Sequence, residues 1–264
     1  MERSLVSHLD LDVAGPASLC FAVAVAAGVP LTSERLDLLV DGRRVEPVEA
    51  SDAHGTRLHL LEVAGGRVSL DYRAEVSGSA ARAEVDPVDR LRYLRPSRYC
   101  ESDVLAPTAA AEFAGLAAAD LVPAVADWVG ARLSYVPGSS LPTDGAVRTL
   151  LARAGVCRDF AHLCVALLRA LNVPARLAAV YAPGLSPMEY HAVCEALVDG
   201  RWWVVDPTRL APRQSLVRIS TGRDAADTAF LTTHGGPVEL IGLEVTATAR
   251  DFRLDDHTGL VELR

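Results

Sequence analysis

One cysteine in the sequence occupies a position that suits a nucleophile. Cys157 follows Gly155 and opens a segment, 157–171, in which apolar residues recur every three or four positions, as on a buried helix. Asn172 and Pro174 end the pattern. The first turn of a helix carries unpaired N–H groups and the positive end of the helix dipole. A thiolate is stabilised there, and the same N–H groups can face a developing oxyanion, so we predict that Cys157 carries the chemistry.

A histidine and an aspartate that could assist this thiol lie on a predicted hairpin. Residues 190–198 and 201–206 have the composition of strands, and the Asp-Gly dipeptide between them is a strong turn signal. A two-residue loop sets a register in which Val193 faces Asp206. His191 and Asp206 then become diagonal neighbours on one face, about 7–8 Å apart at the backbone, within reach of an imidazole and a carboxylate. The hairpin therefore aligns a candidate base with a candidate orienting group.

Composition excludes some classes of partner. The chain has 264 residues, half of them hydrophobic, a net charge of −8 and a pI of about 5.4. This balance argues against a nucleic-acid groove and against an anionic membrane surface. All 26 basic residues are arginine, so the chain has no lysine.

The cysteines and the N-terminal segment predict a cytoplasmic location. Five cysteines, at positions 20, 100, 157, 164 and 194, give no disulfide framework and suit a reducing compartment. The apolar run 19–29 alternates large and small side chains, which is typical of a strand and too short for a membrane span. No basic segment precedes that run, so a signal peptide is not expected.

The order of predicted elements indicates an α+β protein with two domains. Residues 1–85 read as a small all-β sandwich, with tight hairpins at Asp41-Gly42 and Gly65-Gly66. Residues 86–107 are proline-punctuated and read as a linker. Residues 108–264 form the second domain, which contains the three candidate residues. Its predicted elements are helices in 108–134, 144–153 and 157–171, a strand at 175–182, the hairpin, and strands at 214–220 and 237–249.

Three segments of this second domain resemble the motifs of the transglutaminase-like superfamily. They are Gly155-Val156-Cys157-Arg158-Asp159-Phe160-Ala161-His162, Tyr190-His191-Ala192-Val193-Cys194-Glu195 and Trp203-Val204-Val205-Asp206-Pro207-Thr208. The resemblance covers residues 108–210, and the first 85 residues are similar to the N-terminal domain of bacterial members. It implies a papain-like core in which Cys157 attacks an amide carbonyl, His191 acts as base and acid, and Asp206 orients His191. It further implies a peptide or protein amide as substrate, a thioester intermediate and no cofactor.

One position departs from the family pattern. The family usually has tryptophan where this chain has Val193, on the same predicted face as His191, so we expect Val193 to shape substrate binding. Tyr135 is the second candidate for substrate binding, and Tyr135 and Trp128 are both candidate side-chain donors to an oxyanion.

Competing interpretations remain at this point. Several soft ligands could suggest zinc, but the chain has no Cys-x-x-Cys pair, and Cys194 points to the opposite strand face from His191, so we predict no metal site. Hydrolysis of the thioester by water is the preferred outcome. Transfer to an amine, as in a true transglutaminase, and a non-catalytic binding module with an idle thiol are the alternatives.

Overall fold

The computed structural model describes residues 1–251 and 254–264. The first seven strands are β1 (Glu2–Val13), β2 (Ala17–Phe21), β3 (Leu31–Val40), β4 (Arg43–Val45), β5 (Val48–Ser51), β6 (Arg57–Val63) and β7 (Gly66–Ser77). The α-helices are α1 (Asp89–Arg92), α2 (Ser102–Phe113), α3 (Ala118–Arg132), α4 (Ala146–Ala152), α5 (Cys157–Ala170) and α6 (Ala225–Thr228). The later strands are β8 (Ser134–Tyr135), β9 (Ala154–Gly155), β10 (Ala175–Tyr181), β11 (His191–Val198), β12 (Arg201–Val205), β13 (Val217–Gly222), β14 (Leu231–Gly235) and β15 (Val238–Ala249).

The N-terminal strands form a β-sandwich, as the sequence predicts. One sheet has the order β15-β1-β7-β3-β4 and the other the order β14-β2-β6-β5. Alternate residues of β1 are buried, because successive side chains of a strand point to opposite faces. Leu5 and Leu9 from the first sheet share one core with Leu19 and Phe21 from the second. The α+β fold class is confirmed.

The C-terminal strands correct the predicted domain boundary. We expected all of 108–264 to form the second domain, but β14 pairs with β2, and β15 pairs with β1 from Arg3 to Val13. The sandwich is therefore built from both ends of the chain. The prediction was wrong because it placed each strand in a domain by its position in the sequence. The edges of β1 and β2 instead form hydrogen bonds with strands from the far end of the chain.

Two turn and linker predictions also need correction. Asp41-Gly42 does join a hairpin, since Val40 pairs with Arg43. Gly65-Gly66 instead carries the chain from one sheet of the sandwich to the other, because β6 and β7 belong to different sheets. Both glycines have positive φ, and a Cβ on Gly65 would lie 3.1 Å from the carbonyl oxygen of Val13. Within the expected linker 86–107, α1 and the first turns of α2 are helical.

A second, four-stranded sheet with the order β12-β11-β10-β13 supports the candidate site. Helix α5 packs against it and is apolar enough to be buried along nearly its whole length. Leu163, Val165 and Leu167 of α5 lie in one core with Cys194 and Ala196 of β11. The predicted helices before α5 are also present, and α2 and α3 divide close to the expected position.

The two parts of the molecule share a buried junction at Tyr181. The Tyr181 hydroxyl, at the end of β10, donates to the carbonyl oxygen of Val23 at 2.8 Å and lies 3.0 Å from the hydroxyl oxygen of Ser7. Val217 and Ile219 of β13 belong to the sandwich core as well. The four-stranded sheet is therefore held between α5 and the sandwich.

None of the individual helices in the described ranges combines the length and the apolar character that a membrane crossing requires. Helices α2 and α3 reach that length and apolar character only when taken together, and the chain bends by 100° between them.

The junction predicts a measurable loss of stability. Tyr181→Phe removes the hydroxyl and leaves the buried Val23 carbonyl and Ser7 hydroxyl without this partner, which should lower the free energy of unfolding by about 1–3 kcal/mol. Urea unfolding followed by circular dichroism measures this difference.

Tyr99→Phe is the matched control. Tyr99 is half-buried, and its hydroxyl makes no hydrogen bond to the residues described by the structure. An equal loss of stability in both variants would contradict the role assigned to the Tyr181 hydroxyl.

Candidate active site

The nucleophile helix begins at Cys157, as predicted. Val156 is extended at the N-cap, and the buried carboxylate of Asp159 accepts a hydrogen bond from the Val156 N–H at 2.8 Å. The Asp159 N–H donates in turn to the Val156 carbonyl oxygen at 2.9 Å, and the two bonds fix the entry of the chain into the helix. Gly155 is needed here, since a Cβ on it would lie 2.7 Å from the Asp159 Cβ. Cys157 remains half-buried at the start of the helix.

The predicted hairpin register is confirmed. Val198 pairs with Arg201 and Cys194 with Val205, so the loop consists of the two residues expected from the Asp-Gly signal. His191 stands at the start of β11, and Asp206 follows the last residue of β12. The Nε2 atom of His191 lies 2.8 Å from Oδ2 of Asp206, and both side chains are fully buried.

The carboxylate of Asp206 is satisfied on its other oxygen as well. Oδ1 accepts hydrogen bonds from the Thr208 N–H at 3.0 Å and from the Thr208 hydroxyl at 2.7 Å. Burial opposes the charge of Asp206, but the neighbouring His191 and these hydrogen bonds hold its pKa below the ordinary value. Thr208 was not among the candidate residues, although a turn in which Asp bonds the residue two positions later is a recognisable signal.

The imidazole of His191 is held as a cation between two partners. Burial alone would lower the pKa of His191, but the Asp206 carboxylate and the Cys157 side chain raise it to about 10. Because Nε2 bonds Asp206, Nδ1 is the nitrogen left for the thiol, and it has no other partner in the described part of the chain. The structure therefore places His191 between Asp206, which it contacts through Nε2, and Cys157, which is close enough to raise the pKa of the imidazole.

Tyr135 lies at the same place. Strands β8 and β9 form a short parallel pair in which Tyr135 faces Gly155, two residues before the nucleophile. The Tyr135 hydroxyl faces the backbone N–H and the side chain of Cys157, and it donates to Oε1 of Glu189 at 3.4 Å. Burial and the neighbouring Cys157 and Glu189 raise the pKa of Tyr135, so the phenol keeps its proton at neutral pH. No sequence signal pointed to Glu189.

Two other candidate residues lie away from Cys157 and its partners. Val193 has no exposed surface and packs with Ala178, Val180 and Val204, so its assignment to substrate binding is corrected. The family's tryptophan position is here a core position, filled by a branched aliphatic side chain. The indole N–H of Trp128 donates to Glu112 at 2.7 Å, on the exposed side of α3, and is not directed at Cys157.

Other polar groups near the helix have structural partners. His162 is buried, stacks on Tyr99 and accepts a hydrogen bond from the Ala225 N–H, so it points away from Cys157 as predicted. Within the described ranges, no group of three or more His, Cys, Asp or Glu side chains is arranged to hold a metal ion.

A cleft of about 770 Å³ exists elsewhere, between the sandwich and the four-stranded sheet, with His54, Arg92 and Arg218 in its lining. None of the three candidate residues lines it.

The His191–Asp206 pair predicts a change in titration. In Asp206→Asn the largest attraction for the imidazolium is lost while burial still opposes its charge, so the pKa of His191 should fall well below about 10. The Cε1–H signal of this histidine, identified by its absence in His191→Gln, should titrate accordingly in NMR spectra recorded between pH 5 and 11.

The raised pKa of His191 also makes the stability of the folded protein depend on pH. The pKa of His191 is raised in the folded protein, so its contribution is fully present below about pH 6.5, the value for an unfolded histidine, and is lost as the pH rises towards 10. Wild-type protein should therefore lose more stability than Asp206→Asn between pH 6 and 10. Equal losses, or an unchanged His191 titration in the variant, would contradict the pairing.

Three comparisons place this site among known proteins. The model of the "Transglutaminase-like superfamily" matches residues 108–207, which include all three candidate residues. A crystal structure from Cytophaga hutchinsonii, provisionally described as a cysteine protease, is 32% identical, covers 99% of this chain and 96% of its own, and has a TM-score of 0.87. An uncharacterised Mycobacterium leprae protein is 32% identical over 122 residues, which is 42% of this chain and 42% of that protein, so the match spans less than half of that relative.

The family match covers the helix and hairpin described above, and the crystal structure is similar over both the sandwich and the core. The chain belongs to the transglutaminase-like superfamily.

Proposed function

We propose that this protein is a cysteine amidohydrolase, acting on peptide or protein amides through Cys157, His191 and Asp206. The observation that carries the proposal is the buried His191–Asp206 hydrogen bond of 2.8 Å, which leaves the Nδ1 edge of the imidazole for Cys157. A nucleophile, a base and an orienting group in contact are the parts required for acyl transfer. The similarity to the Cytophaga hutchinsonii protein supports the same class of reaction.

The first step forms a thioester. The Cys157 thiolate attacks the amide carbonyl carbon, and the carbonyl oxygen takes the negative charge of the tetrahedral intermediate. His191, as imidazolium, gives its Nδ1 proton to the leaving amine as the carbon–nitrogen bond breaks. Asp206 keeps Nε2 protonated and directed away from the thiol throughout this step.

The second step regenerates the enzyme. Neutral His191 takes a proton from water, the hydroxide attacks the thioester, and the carboxylic acid leaves as the Cys157 thiolate returns. Cys157 is half-buried rather than enclosed, so water can reach the thioester. Water is therefore the acceptor that we assign.

Two donors are available to the oxyanion. The Cys157 N–H lies in the first turn of α5, where helix N–H groups lack intrahelical partners. The protonated Tyr135 hydroxyl lies beside it. Donors placed where charge develops are commonly the largest catalytic contribution, so Tyr135 is assigned as the side-chain donor.

The proposal predicts selective reactivity of Cys157. At pH 6 an ordinary thiol is almost fully protonated, whereas a thiolate held by His191 stays reactive, so His191→Ala should slow alkylation of Cys157 about 100-fold. Iodoacetamide labelling between pH 5 and 9, read for each cysteine by peptide mass spectrometry, measures this.

The chain supplies internal controls. Burial raises the pKa of Cys20, Cys100, Cys164 and Cys194, so these thiols should react slowly in every variant. His234→Ala is the matched substitution, since His234 is exposed on β14. A Cys157 rate that is the same in His191→Ala and His234→Ala would remove the basis for the enzyme proposal.

A second experiment separates hydrolysis from transfer. A glutamine-containing peptide library, incubated with a labelled primary amine at millimolar concentration, should give free-acid products in excess of amine adducts, and neither in Cys157→Ala. The absence of lysine removes self-crosslinking through lysine from the product mixture. Predominant amine adducts would show a transglutaminase, and a reactive Cys157 without any product would favour the binding module.

A further inference from the structure

An unpaired carboxylate stands next to the candidate nucleophile. Glu189 is exposed, lies two residues before His191, and has no ion pair among the described residues. Its Oε1 atom accepts the Tyr135 hydroxyl at 3.4 Å, and that hydroxyl faces Cys157. Glu189 is therefore separated from the reacting thiol by a single side chain.

Four other charged side chains near the start of α5 already have partners. Arg158 donates to the Asp159 carboxylate at 2.9 Å and to the Leu141 carbonyl oxygen at 2.7 Å. Asp144 accepts the Leu141 N–H at 3.0 Å. Asp206 is buried against His191. Among these carboxylates, Glu189 is the one that is free to meet a charge on a ligand.

Three apolar side chains near the start of α5 are exposed, and we call them the apolar rim. Leu141 is 64% exposed, Met188 45% and Val136 42%. The carbonyl oxygen of Leu141 accepts a hydrogen bond from Arg158. The Val136 N–H, directly after Tyr135, donates to the Gly155 carbonyl oxygen at 3.0 Å. Met188 directly precedes Glu189. Exposed apolar groups with one convergent charge are the composition expected of a recognition surface.

We propose that Glu189 determines specificity, selecting amide substrates that carry a guanidinium or ammonium group close to the attacked carbonyl, with the apolar rim contacting the neighbouring substrate residue. This inference rests on the proposed amidohydrolase function and names its substrate class. Glu189 acts by attraction between its carboxylate and the positive charge of the substrate. Because the carboxylate is exposed and screened by solvent, its effect is modest, up to about fivefold for one cation.

The first test needs no known substrate. Methanethiosulfonate reagents transfer their thioalkyl group to the Cys157 thiolate as a disulfide and release methanesulfinate. The rate with a trimethylammonium-ethyl reagent is compared with that of the sulfonate-ethyl reagent, and Cys157 modification is read by peptide mass spectrometry. Wild-type protein should prefer the cationic reagent by about fivefold, relative to a free thiol.

The variant Glu189→Gln removes the charge and keeps an oxygen that can accept the Tyr135 hydroxyl. The cationic preference should disappear in Glu189→Gln and persist in Glu239→Gln, an exposed acid on β15 that serves as matched control. No preference in the wild type, or a preference that survives Glu189→Gln, would overturn the inference and leave the reactivity of Cys157 untouched.

The second test uses peptide pairs that differ only in arginine or citrulline near the scissile amide. The arginine member should be cleaved with the higher kcat/KM by the wild type, and Glu189→Gln should equalise the two. Equal cleavage of both members by the wild type would also overturn the inference. Failure of the proposed function is separate, because it shows as an alkylation rate of Cys157 that does not depend on His191.

Discussion

The site depends on one constraint, which is that a buried imidazolium must keep a buried carboxylate as its partner. Removing His191 and Asp206 from water is costly, and the cost is offset only while the two charges stay in contact and their remaining hydrogen-bonding atoms are satisfied. Thr208 satisfies the outer oxygen of Asp206. The inner oxygen takes Nε2 of His191, so Nδ1 is the imidazole nitrogen that is left for the thiol. The two-residue loop of the hairpin sets this geometry, because the same register that pairs Val198 with Arg201 brings His191 beside Asp206.

A second buried charge cluster fixes the strand that carries His191. Glu195, four residues along β11, accepts hydrogen bonds from Arg176 of β10 and Arg218 of β13 at 2.7–2.8 Å. Burial opposes the charge of Glu195, but these arginines lower its pKa to about 2. Arg176 also bonds His54 of the sandwich at 3.1 Å. Since removing one partner of a buried pair commonly costs about 3–5 kcal/mol, this cluster ties the position of His191 to the sandwich.

Local patterns in the sequence predicted the site better than the architecture around it. The helix at Cys157 and the hairpin register follow from short-range rules, apolar spacing and a two-residue turn, so both could be predicted from residues close together in the chain. The pairing of β15 with β1 joins residues more than two hundred positions apart, and no local pattern encodes it. The hairpin predicted at Gly65-Gly66 was wrong for a related reason. A glycine pair permits a positive φ but does not specify which sheet the next strand joins.

Residues whose role depends on distant partners were the ones missed or misplaced. Val193 was expected at the active site because alternation places it on the face of His191, but Leu185, Leu216 and Leu263 pack in the same buried cluster as Val193. Glu189 carries no motif and gains its position from Tyr135, which another strand pair delivers to the same point.

The position of Tyr135 links the two proposals. Its hydroxyl has a single proton, which in the free protein is donated to Glu189 rather than towards the space where an oxyanion forms. A substrate cation that pairs with Glu189 competes for the same carboxylate and weakens its hold on that proton. The hydroxyl can then turn to the oxyanion while its ring stays packed against Phe160. Recognition of charge at the rim therefore favours the donor arrangement that the first chemical step requires, and binding energy at Glu189 is used in the transition state as well as in the ground state.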